Sequence, residues 1–201
     1  MSVEVVVASA NRGKLRELEE LLSGLDLRLR LLSDFPGLVL PPEGEDYAGN
    51  ARAKALAAAR GSLRAALGDD SGLEVEALGG APGPRSARYG GSDLDDAGRN
   101  AALLTALRDV PPAARDARFV CVVALATPQG DVWLERGECR GRILGAPRGA
   151  GGFGYDPLFE VEGLGRSMAE LAPAEKNRRS HRARAVTALR PALARLAAGG
   201  R

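Results

Sequence analysis

The segment Ser9–Lys14, which reads SANRGK, has the composition of an anion-binding turn. It follows the apolar run 3–9 and leads into a leucine-rich helical pattern, so its backbone N–H groups would face outward at a helix N-terminus, where phosphate binds. A Walker A loop would need glycine at position 8 and serine or threonine at position 15, where the chain has Ala8 and Leu15. The segment therefore predicts either a phosphate-binding loop of another type or an ordinary strand-to-helix turn.

A second polar segment, DDSG at residues 69–72, could hold a divalent cation. Mg²⁺ takes one or two carboxylates together with water and phosphate oxygens, and Glu43 lies in an acidic loop upstream. Such a cation lowers the pKa of bound water, and a carboxylate beside it can accept a proton. An exposed acidic turn is the alternative, which becomes less attractive in combination with the separate phosphate-loop candidate at 9–14.

The loop 151–157, which reads GGFGYDP, places two aromatic rings and a carboxylate in a frame of glycines. Phe and Tyr in so much glycine pack poorly as a core but can stack on a planar base, an interaction worth ~1–3 kcal/mol. The alternative is a tight structural turn. Downstream, the polar residues 176–182 begin the last helical pattern and are either ligand contacts or a solvated basic face.

The rare residue types single out particular positions. Among 28 basic residues only Lys14, Lys54 and Lys176 are lysines. A lysine kept where arginine serves elsewhere suggests a tight site, because ammonium is a compact point charge and guanidinium a planar fork. Asparagine is similarly scarce, and His181 is the single histidine.

Composition excludes several classes of protein. The net charge is +2, and acidic and basic residues alternate along the chain, so a nucleic-acid-binding tract is not indicated. No apolar run approaches the ~20 residues of a membrane span. We therefore expect a soluble, cytosolic protein without nucleic-acid or membrane partners. Cys121 and Cys139 lack metal-ligand spacing and are interpreted as core residues. His181 has no identifiable serine or cysteine nucleophile, which disfavours covalent catalysis.

Periodicity predicts an α/β protein with a mixed sheet. The expected strands are 3–9, 27–32 and 73–78, with an antiparallel hairpin of 117–126 and 131–139 around a turn at 127–130. The expected helices are 15–25, 50–67, 94–107 with a cap at Ser92 or Asp93, and a last one from about Ser180 that Pro191 could kink.

Four motifs in this order resemble the inosine/xanthosine triphosphate pyrophosphatase family. They are SANRGK at 9–14, DDSGLEVEALGGAPGPRSARYGG at 69–91, GGFGYDPLF at 151–159 and EKNRRSHRARA at 175–185. The second and third are long and specific. The resemblance implies an elongated mixed β-sheet flanked by helices, with two lobes around a central substrate cleft, in a single domain spanning 1–201, and a homodimer.

The resemblance also implies a role for each matching residue. Asp70 would be the proton acceptor and a magnesium ligand, with Glu43 or Asp69 as a second ligand. The substrate would be bound by Ser9, Ala10, Asn11, Arg12, Gly13 and Lys14 at the triphosphate, by Ser71, by Phe153, Gly154, Tyr155 and Asp156 at the nucleoside, and by Lys176, His181 and Arg182. The chain departs from the family at Gly49, where a glutamate is common before Asn50.

Two functions remain open at this stage. The first is Mg²⁺-dependent hydrolysis of ITP, dITP and XTP to the monophosphate and pyrophosphate, which removes deaminated purines from the nucleotide pool. The alternative is a nucleotide- or nucleic-acid-binding module that lacks hydrolysis, which the altered acidic loop and the arginine-rich C-terminus leave possible. Release of pyrophosphate would distinguish them.

Overall fold

A computed structural model describes residues 2–199. Its helices and strands alternate along most of the chain, in keeping with the predicted α/β class. The strands are β1 Val3–Val7, β2 Leu27–Leu31, β3 Ala65–Val75, β4 Asp116–Ala126, β5 Val132–Ile143 and β6 Phe159–Val161. The helices are α1 Arg12–Leu21, α2 Tyr47–Ser62, α3 Asp96–Ala106, α4 Pro173–Arg179 and α5 His181–Ala197. None of the described helices is long and apolar enough to cross a membrane.

The six strands form one mixed sheet in the order β2-β1-β3-β4-β5-β6. β1 pairs in parallel with β2 and with β3, whereas β6 runs antiparallel to β5. The mixed sheet and its flanking helices confirm the predicted fold class. The cleft between two lobes stays a prediction.

The chain divides into two compact units. The first comprises the chain up to Asp70, Cys121–Gly137 and the chain from Arg182. Its core is built by the apolar faces of β1, α1 and α5, with members such as Val5, Leu18 and Leu189. Each element buries one apolar face in this core, so polar residues at the ends of strands and helices lie outside it and can form a functional site.

The second unit comprises Ser71–Val120 and Glu138–His181. Its core joins β3 and β4 residues to the segment after β5, with the rings of Phe119 and Phe159 4.4 Å apart at their centroids. Cys139 lies in this core and Cys121 in the first, and burial raises the pKa of the Cys121 thiol to about 12. The interpretation of both cysteines as core residues is confirmed.

The region around Asp69 is the main error in the predicted elements. The predicted helix 50–67 ends at Ser62. Of the predicted strand 73–78 only 73–75 are strand, as the end of an 11-residue strand that begins at Ala65, whereas Glu76–Leu78 form a short 3₁₀ helix. The cap at Asp46, which accepts hydrogen bonds from two α2 amides, starts the helix three residues early, and Leu63 in the left-handed region ends it. Asp69 and Asp70 therefore lie within a buried strand and not in an exposed turn.

Other elements follow the sequence pattern more closely. The hairpin is confirmed, with β4 and β5 adjacent and the 127–131 turn closed by backbone hydrogen bonds. The predicted cap of α3 at Ser92 or Asp93 is wrong. Asp95 caps the helix, because its carboxylate accepts a hydrogen bond from the Gly98 amide. Pro191 lies inside α5, which continues to Ala197. Two short elements, β6 with three residues and α4 with seven, were not predicted from the sequence.

Gly68 is required where β3 crosses α2. A Cβ atom there would lie 2.4 Å from the Ala51 carbonyl oxygen and 2.6 Å from the Ala55 amide nitrogen. Backbone cannot move aside as a side chain can, so Gly68→Ala is expected to lower the free energy of unfolding by about 1–3 kcal/mol. Urea denaturation measures this, with Gly145→Ala as the control because a Cβ there meets nothing within 4 Å. Equal stability of the two variants would contradict the close contact.

Candidate active site

Two adjacent aspartates of β3 are the centre of the first unit's polar cluster. Asp69 and Asp70 are both 4% exposed. Successive residues of a strand point to opposite faces, so the two carboxylates have different neighbours. This separation gives them different electrostatic environments.

Asp69 is held by two cations. Its Oδ2 lies 2.9 Å from Lys14 Nζ and 3.1 Å from Arg182 Nη2, and Arg182 Nη1 also donates to Glu17. Burial alone would raise the pKa of Asp69, but the charges of Lys14 and Arg182 outweigh it and hold that pKa well below its ordinary value. Asp69 is therefore an ionised anchor for α1 and α5.

Asp70 has a less compensated carboxylate. Its Oδ1 accepts a hydrogen bond from Lys54 Nζ at 3.0 Å, and its Oδ2 accepts one from Asn50 Nδ2 at 2.9 Å. Burial raises the pKa of Asp70, and these two donors offset the effect only in part. A buried carboxylate with a raised pKa is a stronger base than an exposed one, as a proton acceptor requires.

The acidic loop before α2 is fastened to Asp70 through Asn50. The Asn50 side chain accepts from the Gly44 amide at 2.7 Å and donates to the Gly44 carbonyl at 3.1 Å. Glu43 forms an ion pair with Lys54, the same ammonium that contacts Asp70. The carboxylates of Glu43 and Asp70 thus converge on one point, and the charge of Glu43 adds to the raised pKa of Asp70.

The segment Ser9–Lys14 leads from β1 into a helix, as predicted, but α1 begins within it at Arg12 and not at the predicted position 15. Asn11 caps the helix with its Oδ1, which accepts from the amides of Gly13 at 2.8 Å and Lys14 at 3.2 Å. The Asn11 amide in turn donates to Ser9 Oγ at 3.1 Å. Ala10 and Arg12 are exposed at this turn. The segment is therefore an ordered, solvent-facing turn with Lys14 directed to Asp69.

In the second unit, Asp156 organises the glycine-framed loop. Its Oδ2 accepts from the Phe153 amide at 2.9 Å and from Lys176 Nζ at 2.8 Å. The Lys176 ammonium also lies 4.8 Å from the centroid of the Phe153 ring. A Cβ atom at Gly152 would lie 2.0 Å from this Asp156 oxygen, so the glycine is needed for the turn. The loop thus presents an aromatic ring beside a fixed cation.

Tyr155 and His181 have structural contacts in the same unit. The Tyr155 hydroxyl donates to the Ser86 carbonyl at 2.9 Å, and burial raises its pKa above the ordinary value. The His181 ring stacks on Phe119 with centroids 4.8 Å apart. Both side chains are buried, and each joins one predicted segment to the unit's core.

The structure brings together part of each predicted set. The first unit's cluster contains Lys14, Glu43, Asp69, Asp70 and Arg182. In the second unit, Lys176 of α4 contacts the loop residues Phe153 and Asp156, and Ser71 is the first residue of that unit. Sequence reasoning missed the partners Glu17, Asn50, Asp96 and Asn100. The scarcity of asparagine was a usable signal, since Asn11, Asn50 and Asn100 all make specific contacts.

Among the described residues, no group of three or more His, Cys, Asp or Glu side chains has the geometry of a metal site. Glu43 and Asp70 are the pair that could share a cation, because both already meet the Lys54 ammonium. Asp69 is less suited, since its Oδ2 is engaged by Lys14 and Arg182. Two carboxylates suit Mg²⁺, which takes its other ligands from water and phosphate.

Known proteins resemble this chain along nearly its whole length. Residues 5–192 match the Ham1 family. Two relatives named dITP/XTP pyrophosphatase are similar: that of Geobacillus kaustophilus is 48% identical over 187 residues, 92% of each chain, and that of Desulforamulus reducens is 46% identical over 195 residues, 96% of this chain and 97% of the relative.

Solved structures show the same similarity in three dimensions. A HAM1 protein from Coxiella burnetii superposes with a TM-score of 0.86 at 40% identity, covering 95% of this chain and 98% of that one. A nucleoside-triphosphatase, also titled dITP/XTP pyrophosphatase, from Mycobacterium abscessus gives 0.74 at 42% identity, covering 95% of this chain and 100% of that one.

Proposed function

The chain belongs to the Ham1 family, and from that premise we propose that it hydrolyses the deaminated purine nucleotides dITP, XTP and ITP to the monophosphate and pyrophosphate. The observation that carries the proposal is the environment of Asp70, a buried carboxylate with a raised pKa beside the Lys54 ammonium. Such a group can take a proton from water next to an anionic phosphate.

Asp70 is the proton acceptor in this proposal. Water attacks the α-phosphorus, its proton passes to Asp70, and pyrophosphate leaves. The Asn50 and Lys54 hydrogen bonds fix one Asp70 oxygen each, so the carboxylate keeps a single orientation. Lys54 also supplies a positive charge that can stabilise the charge developing on the phosphate oxygens.

Glu43 and Asp70 would hold Mg²⁺. When bound, the cation lowers the pKa of water and neutralises part of the polyphosphate charge. The fit rests on the oxygen donors of both side chains, which converge on Lys54. Asp70 carries two roles here, and Glu43 is preferred to Asp69 because the Asp69 side chain is buried between Lys14 and Arg182, whereas the Glu43 side chain is 28% exposed.

The substrate residues are proposed in two sets. Ser9–Lys14 bind the triphosphate, and Lys14 brings an ammonium that is 17% exposed at its side chain. Phe153 offers its ring to the purine base in the second unit, and Gly154, Tyr155, Asp156 and Lys176 shape or contact the same loop. His181 is assigned to the substrate by the resemblance. By resemblance we also assign Ser71 and Arg182 to the substrate and expect a homodimer. From the composition we expect a cytoplasmic protein without a nucleic-acid partner.

Purified protein with ITP and Mg²⁺ tests the function. We expect equal amounts of IMP and pyrophosphate and no free orthophosphate, and the activity should disappear when a chelator removes the cation. ATP serves as the comparison substrate. Release of orthophosphate would indicate cleavage at another bond, and nucleotide binding without hydrolysis would favour the binding-module alternative.

Lys14 tests the triphosphate assignment. Lys14→Ala is expected to raise the Kd for ITP by about tenfold or more, with little change for inosine, because a charge-assisted hydrogen bond is worth ~1.5–3 kcal/mol. Lys14→Arg should also weaken ITP binding if a tight site explains the scarcity of lysine. Isothermal titration of both ligands measures the difference, with exposed Arg16→Ala as the control. Full affinity in Lys14→Arg would contradict only the inference from lysine scarcity and would leave the triphosphate assignment of Lys14 intact.

A further inference from the structure

Helix α3 holds one residue of the glycine-framed loop, Gly154, by both its backbone amide and its backbone carbonyl. The Gly154 amide donates to Asp96 Oδ2 at 2.7 Å, and the Gly154 carbonyl accepts from Asn100 Nδ2 at 3.0 Å. Asp96 and Asn100 are four residues apart, so they lie on one face of α3. The helix therefore binds the donor and the acceptor of a single residue.

We infer that Asp96 and Asn100 are positioning residues that set the Phe153 ring for the substrate's base. Neither residue belongs to the four motifs that carry the family resemblance, and neither is among the residues to which that resemblance gives a role. The inference rests on the proposed function, since it takes the loop to bind the nucleoside.

The backbone at Gly154 needs such support. Its φ of +62° lies in the left-handed region, and a Cβ atom there would meet nothing within 4 Å, so packing on Gly154 itself does not define the turn. Glycines at 149, 151, 152 and 154 give the segment many accessible conformations. Two hydrogen bonds to a rigid helix select one of them and fix the residue next to Phe153.

Asp96 is a strong acceptor for this purpose. Burial would raise the pKa of Asp96, but the Gly154 amide and Arg99 outweigh it, so the carboxylate is ionised at neutral pH. A hydrogen bond to an ionised acceptor is stronger than one between neutral groups. Arg99 also donates to Asp96 Oδ1, which leaves Oδ2 directed at the loop.

Asn100 does not have the contacts of a residue kept for stability alone. It is 7% exposed, and its Oδ1 finds no hydrogen-bond partner among the described residues. A buried oxygen without a partner destabilises a fold, and an apolar side chain would avoid that cost. The hydrogen bond from Nδ2 to Gly154 is what an apolar residue could not provide.

The variants Asp96→Leu and Asn100→Asp remove one hydrogen bond each. Asn100→Asp keeps the shape of the side chain but places a carboxylate oxygen against the Gly154 carbonyl oxygen, in place of the Nδ2 donor. Asp96→Asn retains a side-chain oxygen that can accept the hydrogen bond from the Gly154 amide. Asp95→Ala is the matched control, because Asp95 caps the same helix through Gly98 and has no hydrogen bond to the loop. It destabilises α3 while leaving the Gly154 contacts intact.

Steady-state kinetics with ITP distinguish positioning from stability. We expect Asp96→Leu and Asn100→Asp to raise KM by about tenfold with kcat within about threefold, because ground-state and transition-state binding are weakened together. Asp96→Asn should restore KM to near the wild-type value. Inhibition by inorganic tripolyphosphate, which lacks a base, should be unchanged in every variant, and Asp95→Ala should lower Tm without changing KM.

A wild-type KM in both Asp96→Leu and Asn100→Asp would overturn the inference, as would an equal rise in Asp95→Ala. If Asp96→Leu does not fold, Asn100→Asp decides the result by the same criterion. Failure of the wild-type protein to hydrolyse ITP would instead overturn the proposed function. The two failures are therefore distinguishable.

Discussion

Asp70→Asn is expected to lower kcat for ITP by roughly 10²–10⁴-fold, the usual contribution of a general base. Asparagine keeps the size of the side chain and a hydrogen-bonding oxygen but cannot accept the proton. Stability should be unchanged or slightly raised, because burial makes the ionised form of Asp70 unfavourable and Lys54 retains its ion pair with Glu43. Stopped assays of pyrophosphate release and urea denaturation measure the two quantities.

The neighbouring variant Asp69→Asn should have the opposite stability effect. It leaves the partly buried Lys14 and the buried Arg182 without their shared carboxylate, and the removal of one member of a buried ion pair costs about 3–5 kcal/mol. The pKa of Asp69 lies below its ordinary 3.8, so its stabilising effect is present above that pH and is lost as the pH falls. The difference from wild type should therefore be larger at pH 7 than at pH 3.

The pair of variants tests the assignment of the base. Near-normal turnover in Asp70→Asn would remove Asp70 from that role and make Glu43 the next candidate. Equal loss of stability in both variants would contradict the different environments of the two carboxylates. Asp116→Asn is a suitable control, because Asp116 is exposed at the start of β4.

Local patterns predicted the elements whose residues determine their own structure. The apolar run of β1 and the β4–β5 hairpin with its turn at 127–130 were found because alternation and turn residues are short-range signals. The first part of β3 was missed because Ala65 and Ala66 continue an alanine-rich helical pattern, whereas their burial beside β1 is a tertiary effect. Asp69 and Asp70 were expected in an exposed turn because they are charged, and their burial is likewise a tertiary effect.

The partners of the site residues were harder to predict than the residues themselves. Motifs identified Lys14, Asp70 and Asp156, but the ion pair of Glu17 with Arg182 joins positions 165 residues apart. A local sequence pattern carries no information about a contact between residues so far apart in the chain. The capping role of Asn11 was within reach of the sequence, since asparagine before a helical pattern is a common cap.

Arg182→Ala is the second variant for which we expect a large effect. Arg182 is 2% exposed and its guanidinium contacts both Asp69 and Glu17, so its removal leaves the buried Asp69 and the partly buried Glu17 with fewer cations. The free energy of unfolding should fall by about 3–5 kcal/mol. Arg184→Ala, at an exposed position of the same helix, should differ from wild type by less than about 0.5 kcal/mol.

The same variant tests base selection. Hypoxanthine and xanthine have a carbonyl oxygen at C6 where adenine has an amino group, so donors such as Arg182 would favour the first two. An unpaired buried donor costs ~1–3 kcal/mol, and we therefore expect Arg182→Ala to reduce the ratio of kcat/KM for ITP over ATP by about tenfold or more. The ratio is measured on folded protein at a temperature well below the variant's Tm. An unchanged ratio would restrict Arg182 to its ion pairs with Asp69 and Glu17 and transfer base recognition to the backbone groups of the Phe153–Asp156 loop.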